Sequence, residues 1–412
     1  MTFKLKSHYI GLLSFVFLAG MLLRVYGIWA QPPTSDDMNV ALSAKNYVET
    51  GHLGPTMWNH PNLRNLLVYA SVQLFGGGVF GLKLWSITFG GLTVLLTGLV
   101  AREMTRDDRA GVLAALLLAI DSLHIDFSRQ AVHEVYMAFF TMAGIYCCLR
   151  FRHRENSSYL VLAGVAFGLG IASKWYVLFP LATSGLFLLF DRKPIKECPD
   201  RVVLLAATLL IVPLTVYLLT FYPWFLRGYG IAEWLTLQKA MYIETKHHLG
   251  YNPYGYEVDY KPLLWFLKPV AFGDFAMGKT GPTVLLGISN PLSWLLTLPA
   301  MIWVLRTWMT QRVSLLPYLF ALFACAYLPL AVSQRPIWAH TAFSVLPFAF
   351  IAVAGFMVQY LDHGDNKRYF FYSYLSLLLL VSIPLYLLAI GKGHDVAMLQ
   401  PLLEIYRPLH ER

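Results

Sequence analysis

Apolar runs recur along almost the whole chain, and a chain built that way has few folds open to it. Stretches of about 17–25 mainly apolar residues read as membrane spans. Eleven are expected, near 9–28, 79–100, 110–123, 132–149, 159–173, 175–190, 202–221, 283–305, 315–332, 340–360 and 369–390. The expected fold class is therefore an all-α polytopic membrane protein, one transmembrane domain over 1–412 with no separate soluble domain. Composition agrees: 57% of the 412 residues are hydrophobic and 13% charged, against about a quarter charged in soluble domains. No small-residue cleavage site follows the first run, and Arg24 lies inside its far end, so it reads as a retained span and not a signal peptide.

Basic residues set the orientation. With the N-terminus cytoplasmic, Lys4/Lys6, Arg102/Arg106/Arg109, Arg150/Arg152/Arg154, Arg192/Lys193/Lys196/Arg201, Arg306/Arg312 and Lys367/Arg368 all fall inside, in short turns. The outside segments are roughly three times poorer in Lys and Arg, as the positive-inside rule requires. The net charge of +9 is then mainly a topology signal, and the scattered basic turns do not make a nucleic-acid surface. Cys147, Cys148 and Cys325 fall in spans and Cys198 in an inside turn, so no disulfide framework is expected. The Cys147–Cys148 neighbours read as packing.

Two long external loops, 29–78 and 222–282, hold the material for a site. The first carries Asp36-Asp37 just beyond a span, where a carboxylate pair needs a partner or a water-filled cavity. It is expected to form two amphipathic helices, Asp36 to Tyr47 and Leu63 to Phe75, with another at Ile231 to Tyr242 in the second loop. The outer face supplies further acids, Asp126, Glu134, Glu244, Glu257 and Asp259. Its cations and histidines are His60, Arg64, Arg129, His133, Lys174, His247, His248, Arg335 and His340. Carboxylates beside cations suit an acceptor that loses a proton and a leaving group that carries charge. A phosphate fits the latter, since Arg holds it in a fork and Lys as a point charge. Other readings stay open. Asp36-Asp37 follows Thr34-Ser35 and suits a helix N-cap. Arg129 and Lys174 suit span ends that snorkel to headgroups, and His340 beside Trp338 suits a membrane interface. His247-His248 lacks the i, i+4 spacing of a helical metal pair.

The order of these pieces resembles the protein O-mannosyltransferase family (glycosyltransferase family 39), within the GT-C membrane glycosyltransferases. The family's Asp-Glu pair is matched by Asp36-Asp37, and its His-Pro-Pro-Leu-Gly-Lys by His60-Pro61-Asn62-Leu63-Arg64-Asn65. Its Ser-Arg and Leu-Asp are matched by Ser128-Arg129 and His133-Glu134, and its Ser-Val-Lys-Trp by Ala172-Ser173-Lys174-Trp175. Gly-Asn-Pro-x-x-Trp is matched by Ser289-Asn290-Pro291-Leu292-Ser293-Trp294, and Arg-x-x-Phe-x-x-His by Arg335-Pro336-Ile337-Trp338-Ala339-His340. The departures are Asp-Asp for Asp-Glu and Pro-Asn for Pro-Pro. Loop 222–282 is also too short for the β-trefoil domain that some members insert there.

The resemblance implies a GT-C fold of about eleven spans and an inverting transfer of a mannose-like hexose. The expected donor is a polyprenyl-phosphate sugar, and the expected acceptor is a hydroxyl on protein or on an envelope glycolipid. Asp36 is expected as general base with Asp37 beside it. Arg129, Lys174 and Arg335 are expected on the donor phosphate, and His60, Arg64, Glu134, Trp175 and His340 around sugar or acceptor. No metal or other cofactor is required. The protein is expected in a bacterial plasma membrane with its site on the external, periplasmic face. The rival reading, a transporter or flippase of lipid-linked sugars, fits less well, because polar groups concentrate in two loops on one face.

Overall fold

The computed structural model describes residues 7–56, 58–190, 199–247, 262–267, 269–278, 281–311, 315–333, 337, 339–362, 364–393 and 397–399. Helix α1, Ser7–Val25, shows how a membrane helix reads. Its buried residues Tyr9, Leu13, Val16, Gly20 and Arg24 recur every three or four positions, while Phe15 and Leu22 on the other side are exposed. The stripe packs on α5, Asp108–Ile120, closely enough that a Cβ on Gly20 would lie 3.2 Å from that of Ala119. Arg24, inside the run, is fully buried. It donates to the carbonyls of Gly20, Ala119 and Leu118, with His124 Nδ1 2.6 Å from its Nη2.

The first external loop forms α2, Ser35–Thr50, and α3, Leu63–Phe75, where the sequence pattern places them. Then come α4, Val79–Thr105, and α5, which turns by 64° at Asp121 into the short α6, Ser122–Ser128. Asp121 makes the turn possible by capping α6 at the His124 N–H. Helices α7, His133–Arg154, and α8, Ser158–Ile171, form an antiparallel pair leading into α9, Leu178–Phe190. Helices α10, Pro199–Ala206, and α11, Val212–Leu219, are joined by a π-helical turn over Ala207–Ile211 just before Pro213, whose missing N–H breaks the regular ladder. The second external loop contributes α12, Tyr222–Leu226, and α13, Ile231–His247.

The region expected as the eighth span departs from the sequence reading. Residues Ala271–Gly278 and Gly281–Ile288 form an antiparallel hairpin, β1 and β2, with Ala271 opposite Ile288 and Gly278 opposite Gly281. The fold is thus mostly helical but not all-α, and the expected span 283–305 begins too early. A short apolar run does not by itself distinguish strand from helix. Here Asn290 caps the next helix through the Leu292 N–H and Pro291 takes its first turn, so helix starts at 291. The hairpin docks on α6, where Ser122 Oγ both donates to and accepts from the Ile288 backbone.

Helices α14, Pro291–Trp294, α15, Thr297–Gln311, α16, Leu316–Ala331, α17, Leu346–Val358, and α18, Gly364–Ala389, complete the fold. Helix α17 is apolar on all sides and almost wholly buried, packed on α5 and α15 at the centre of the main core. Among the described residues, six helices are long and apolar enough to cross a membrane, or seven if the bent α5–α6 pair counts as one. Four apolar helices are shorter, at 10–17 residues.

Candidate functional site

Two carboxylates adjacent in sequence end up in different surroundings. Asp37 is fully buried inside the protein. Its Oδ2 takes the Thr34 N–H at 2.9 Å and the Lys83 ammonium at 2.9 Å, and its Oδ1 takes the Ala131 N–H at 2.8 Å. With Thr34 Oγ1 accepting from the Asp37 N–H, this completes a capping box at the start of α2. Asp37 therefore clamps α2 to α4 and to the turn before α7. Both oxygens are consumed in that clamp, which leaves none for the catalytic work expected of it. Asp36, one position earlier, is half-buried, and among the described residues no hydrogen bond or ion pair occupies it. Burial pushes its carboxyl up to about 6, only partly offset by Arg64, while Glu134 adds to the rise.

Arg64 comes from the first turn of α3. That helix is set by two ties: the Leu63 N–H donates to the Ala172 carbonyl at 2.9 Å, and Asn62 Nδ2 to the Thr220 carbonyl at 2.7 Å. The Tyr47 hydroxyl, which also meets Asn62, donates to the same Thr220 carbonyl. Arg64 is buried and donates from Nη1 to the Ala131 carbonyl at 2.9 Å, while its charge acts on Asp36.

Glu134 occupies the first turn of α7 and is buried. Its Oε1 meets the Lys174 ammonium and, at 3.2 Å, His340 Nε2. Lys174 sits where α8 ends. The Lys174 N–H closes onto the Gly170 carbonyl, the chain then turns extended, and the side chain is left directed at α7. His340 comes from a short 3₁₀ segment, Ala339–Ser344. His60 is half-buried among these charges. Burial first, then Lys174, drive its imidazole well below the usual histidine range, so it is neutral.

The structure therefore brings together Asp36, His60, Arg64, Glu134, Lys174 and His340. Trp175 stands beside Lys174 and turns away, its Nε1 donating to the Tyr217 hydroxyl at 3.0 Å, which donates to Gln238 of α13 at 2.6 Å. Arg129 is not in the group. It is fully buried and donates to Gln31 Oε1 and to the carbonyls of Arg24 and Tyr26, tying down the exit of α1. Its guanidinium serves the fold and is not presented to a donor phosphate. Arg335, His248, Glu257 and Asp259 lie outside the described residues.

Two participants escaped the sequence reading. Lys83 carried a signal, a lysine inside the apolar run 79–100. The other feature is a narrow apolar groove with room of about 20 Å³ between α7, α9, α16 and the start of α17, lined by Met137, Thr141, Tyr176, Pro180, Phe343 and Phe348 among others. Met137, Tyr176 and Phe343 each follow a charged member of the group by two or three residues. On α7 the groove residues Met137, Ala138 and Thr141 follow Glu134 at i+3, i+4 and i+7, so the groove runs along the same helix face, about a turn from the charged cluster.

Comparison with known proteins gives the same picture. Residues 52–227 match the family model described as dolichyl-phosphate-mannose-protein mannosyltransferase. Over that stretch, less than half of its length, the chain is similar to the protein O-mannosyltransferase family. It is a glycosyltransferase. The polyprenol-phosphate-mannose–protein mannosyltransferase of Corynebacterium glutamicum is 22% identical over 362 residues, 72% of this chain and 69% of that protein. The Mycolicibacterium smegmatis protein of the same name is 24% identical over 361 residues, 72% of this chain and 70% of the relative. A solved structure of the Saccharomyces cerevisiae Pmt1–Pmt2 complex bound to its sugar donor superposes with a TM-score of 0.78 at 12% identity, covering 94% of this chain and 91% of that one. At that identity the likeness speaks for the fold.

Proposed function

We propose that this chain moves a mannose-like hexose from a polyprenyl-phosphate donor to a hydroxyl acceptor, with inversion at the anomeric carbon. The observation that carries the reading is a cluster holding a half-buried, unengaged carboxylate and a lysine, with an apolar groove along the same face of α7 about a turn away. The apolar lining of the groove suits a prenyl chain. Lys174, with Arg64 and His340 close by, suits the phosphate at its end, and Asp36 suits the acceptor. The acceptor oxygen attacks the anomeric carbon as its proton passes to Asp36, and the bond from that carbon to the phosphate oxygen breaks with its electron pair. Polyprenyl phosphate leaves as a stable anion, so no strong general acid is needed, and the cations stabilise the charge appearing on it.

Orientation follows from helix direction. Glu134 opens α7, and Arg150 and His153 close it beside Glu103, roughly 24–28 Å further along the helix. This supports a site on the face opposite the basic turns, the face that the positive-inside rule favours as external. That face is periplasmic in a bacterial plasma membrane. The names of the relatives favour a protein hydroxyl as acceptor.

The test is release of free polyprenyl phosphate by purified protein in detergent, from a panel of polyprenyl-phosphate sugars, with and without an envelope extract. Extract-dependent release that is lost in Asp36→Asn is expected. Donor movement across liposomes without any release would replace the proposal with the flippase reading.

A further inference from the structure

His133 has no part in the scheme above, yet it lies inside the cluster. It opens α7 directly before Glu134, is 4% exposed, and its ring meets that of His60 edge-on with centroids 4.8 Å apart. Neither Nδ1 nor Nε2 makes a hydrogen bond with any described residue. The Ser173 main chain faces the ring but outside hydrogen-bond geometry. Buried side-chain nitrogens are nearly always partnered, so two unmet ones on a single ring call for an explanation. Arg64, His60 and Lys174 all act electrostatically on the ring, and His60 touches it.

The chemistry of the missing partner is constrained. A neutral imidazole presents one donor and one acceptor. A phosphate or carboxylate would accept from one nitrogen and leave the other unmet. A hydroxyl both donates and accepts, and a polyol places several within reach of one ring. Metal is disfavoured, since no group of three or more His, Cys, Asp or Glu among the described residues could hold an ion. The ring is also near enough to feel the charges of both Lys174, where the phosphate would sit, and Arg64, which acts on Asp36. A hexose bridging phosphate and base passes through this cluster. We infer that His133, held edge-on by His60, contacts one hydroxyl of the donor hexose and so helps to set which sugar is accepted. The inference rests on the glycosyl-transfer reading above.

The test is binding of polyprenyl-phosphate mannose and its four monodeoxy analogues to the wild type, His133→Leu and His133→Asn in detergent. Melting midpoints serve as the control for folding. The wild type is expected to lose about tenfold in affinity for one analogue, equivalent to about 1.4 kcal/mol. His133→Leu should bind the parent donor about tenfold more weakly and be indifferent to that same deoxygenation, with partial rescue by Asn. Should Leu not fold, a changed preference among the analogues in Asn alone supports the inference. A variant that ranks the analogues as the wild type does overturns it, as does a change confined to the acceptor KM. A wild type that binds no polyprenyl-phosphate sugar defeats the glycosyl-transfer reading itself, whereas normal donor binding with an unaltered ranking defeats only the role of His133.

Discussion

Removing Asp37 should damage this protein more than removing Lys83, and removing both should repair part of the damage. The two side chains form an ion pair at 2.9 Å with neither exposed at all. Deleting one member of such a pair leaves a buried charge unpaired, at about 3–5 kcal/mol. The remaining partners differ, however. Without Lys83, the Asp37 carboxylate still accepts the Thr34 and Ala131 N–H groups, so Lys83→Met should cost only about 2–3 kcal/mol. Without Asp37, the Lys83 ammonium has no hydrogen-bond acceptor among the described residues, and the capping box is lost as well, for about 1 kcal/mol more. Asp37→Ala should therefore cost about 4–6 kcal/mol.

In Asp37→Ala/Lys83→Met no charge is stranded. What remains is the lost cap and the tie to Ala131, about 1–2 kcal/mol, so the double variant should be more stable than Asp37→Ala alone. Reversible unfolding in mixed micelles, followed by tryptophan fluorescence, measures all three. A double variant no more stable than Asp37→Ala, or a Lys83→Met variant worse than Asp37→Ala, would falsify the clamp as described. Activity adds an independent readout. The clamp fixes the turn that carries Asp36, so the double variant should remain folded yet lose kcat.

The other expectations concern the site itself. Asp36→Asn should cut transfer by about 10²–10⁴-fold; in the wild type kcat/KM should rise with pH through about 6 and then level off, because the base works ionised, and a pH profile without that rise would count against Asp36. The same raised carboxyl predicts a stability effect. Folded protein holds the proton more tightly than unfolded protein, so this contribution is present at low pH and is lost as pH rises from about 4 through about 6. Asp36→Asn should then melt higher than wild type at pH 8, a gain that fades toward pH 4. Lys174→Met should weaken donor binding about 10–100-fold, the worth of a charge-assisted hydrogen bond, and unchanged donor affinity would remove Lys174 from the phosphate site. Trp175→Phe deletes one neutral hydrogen bond to Tyr217 and should cost about 0.5–1.5 kcal/mol of stability with little change in turnover.

The apolar architecture was legible because hydrocarbon imposes a length and composition that no other environment demands. The hairpin over 271–288 was not, because five apolar residues in a row, Val284 to Ile288, suit a strand or a span equally. Loop helices α2, α3 and α13 were readable from their own periodicity and from the Gly and Pro breaks between them. What the sequence does not carry is the direction in which adjacent polar residues face. Asp36 and Asp37 are neighbours on a helix, so about 100° separates their side chains. One turns inward to Lys83, the other toward Arg64 and Glu134.

The same limit explains the assignment of cations. Arg129 and Lys174 look alike in sequence, since each ends an apolar run on the same face. Their fates diverge through what their flanking backbone leaves unsatisfied. Arg129 follows α6 directly, close to the end of α1, whose last carbonyls have no helical partner and take its N–H groups. Lys174 follows a helix that closes its own end onto Gly168 and Gly170, so its side chain is spared that work and reaches Glu134. A cation at a helix junction becomes structural when neighbouring carbonyls are orphaned and is released for a substrate when they are not. By that criterion Lys174, whose one ion-pair partner among the described residues is a glutamate that it shares with His340, is the cation a phosphate would recruit.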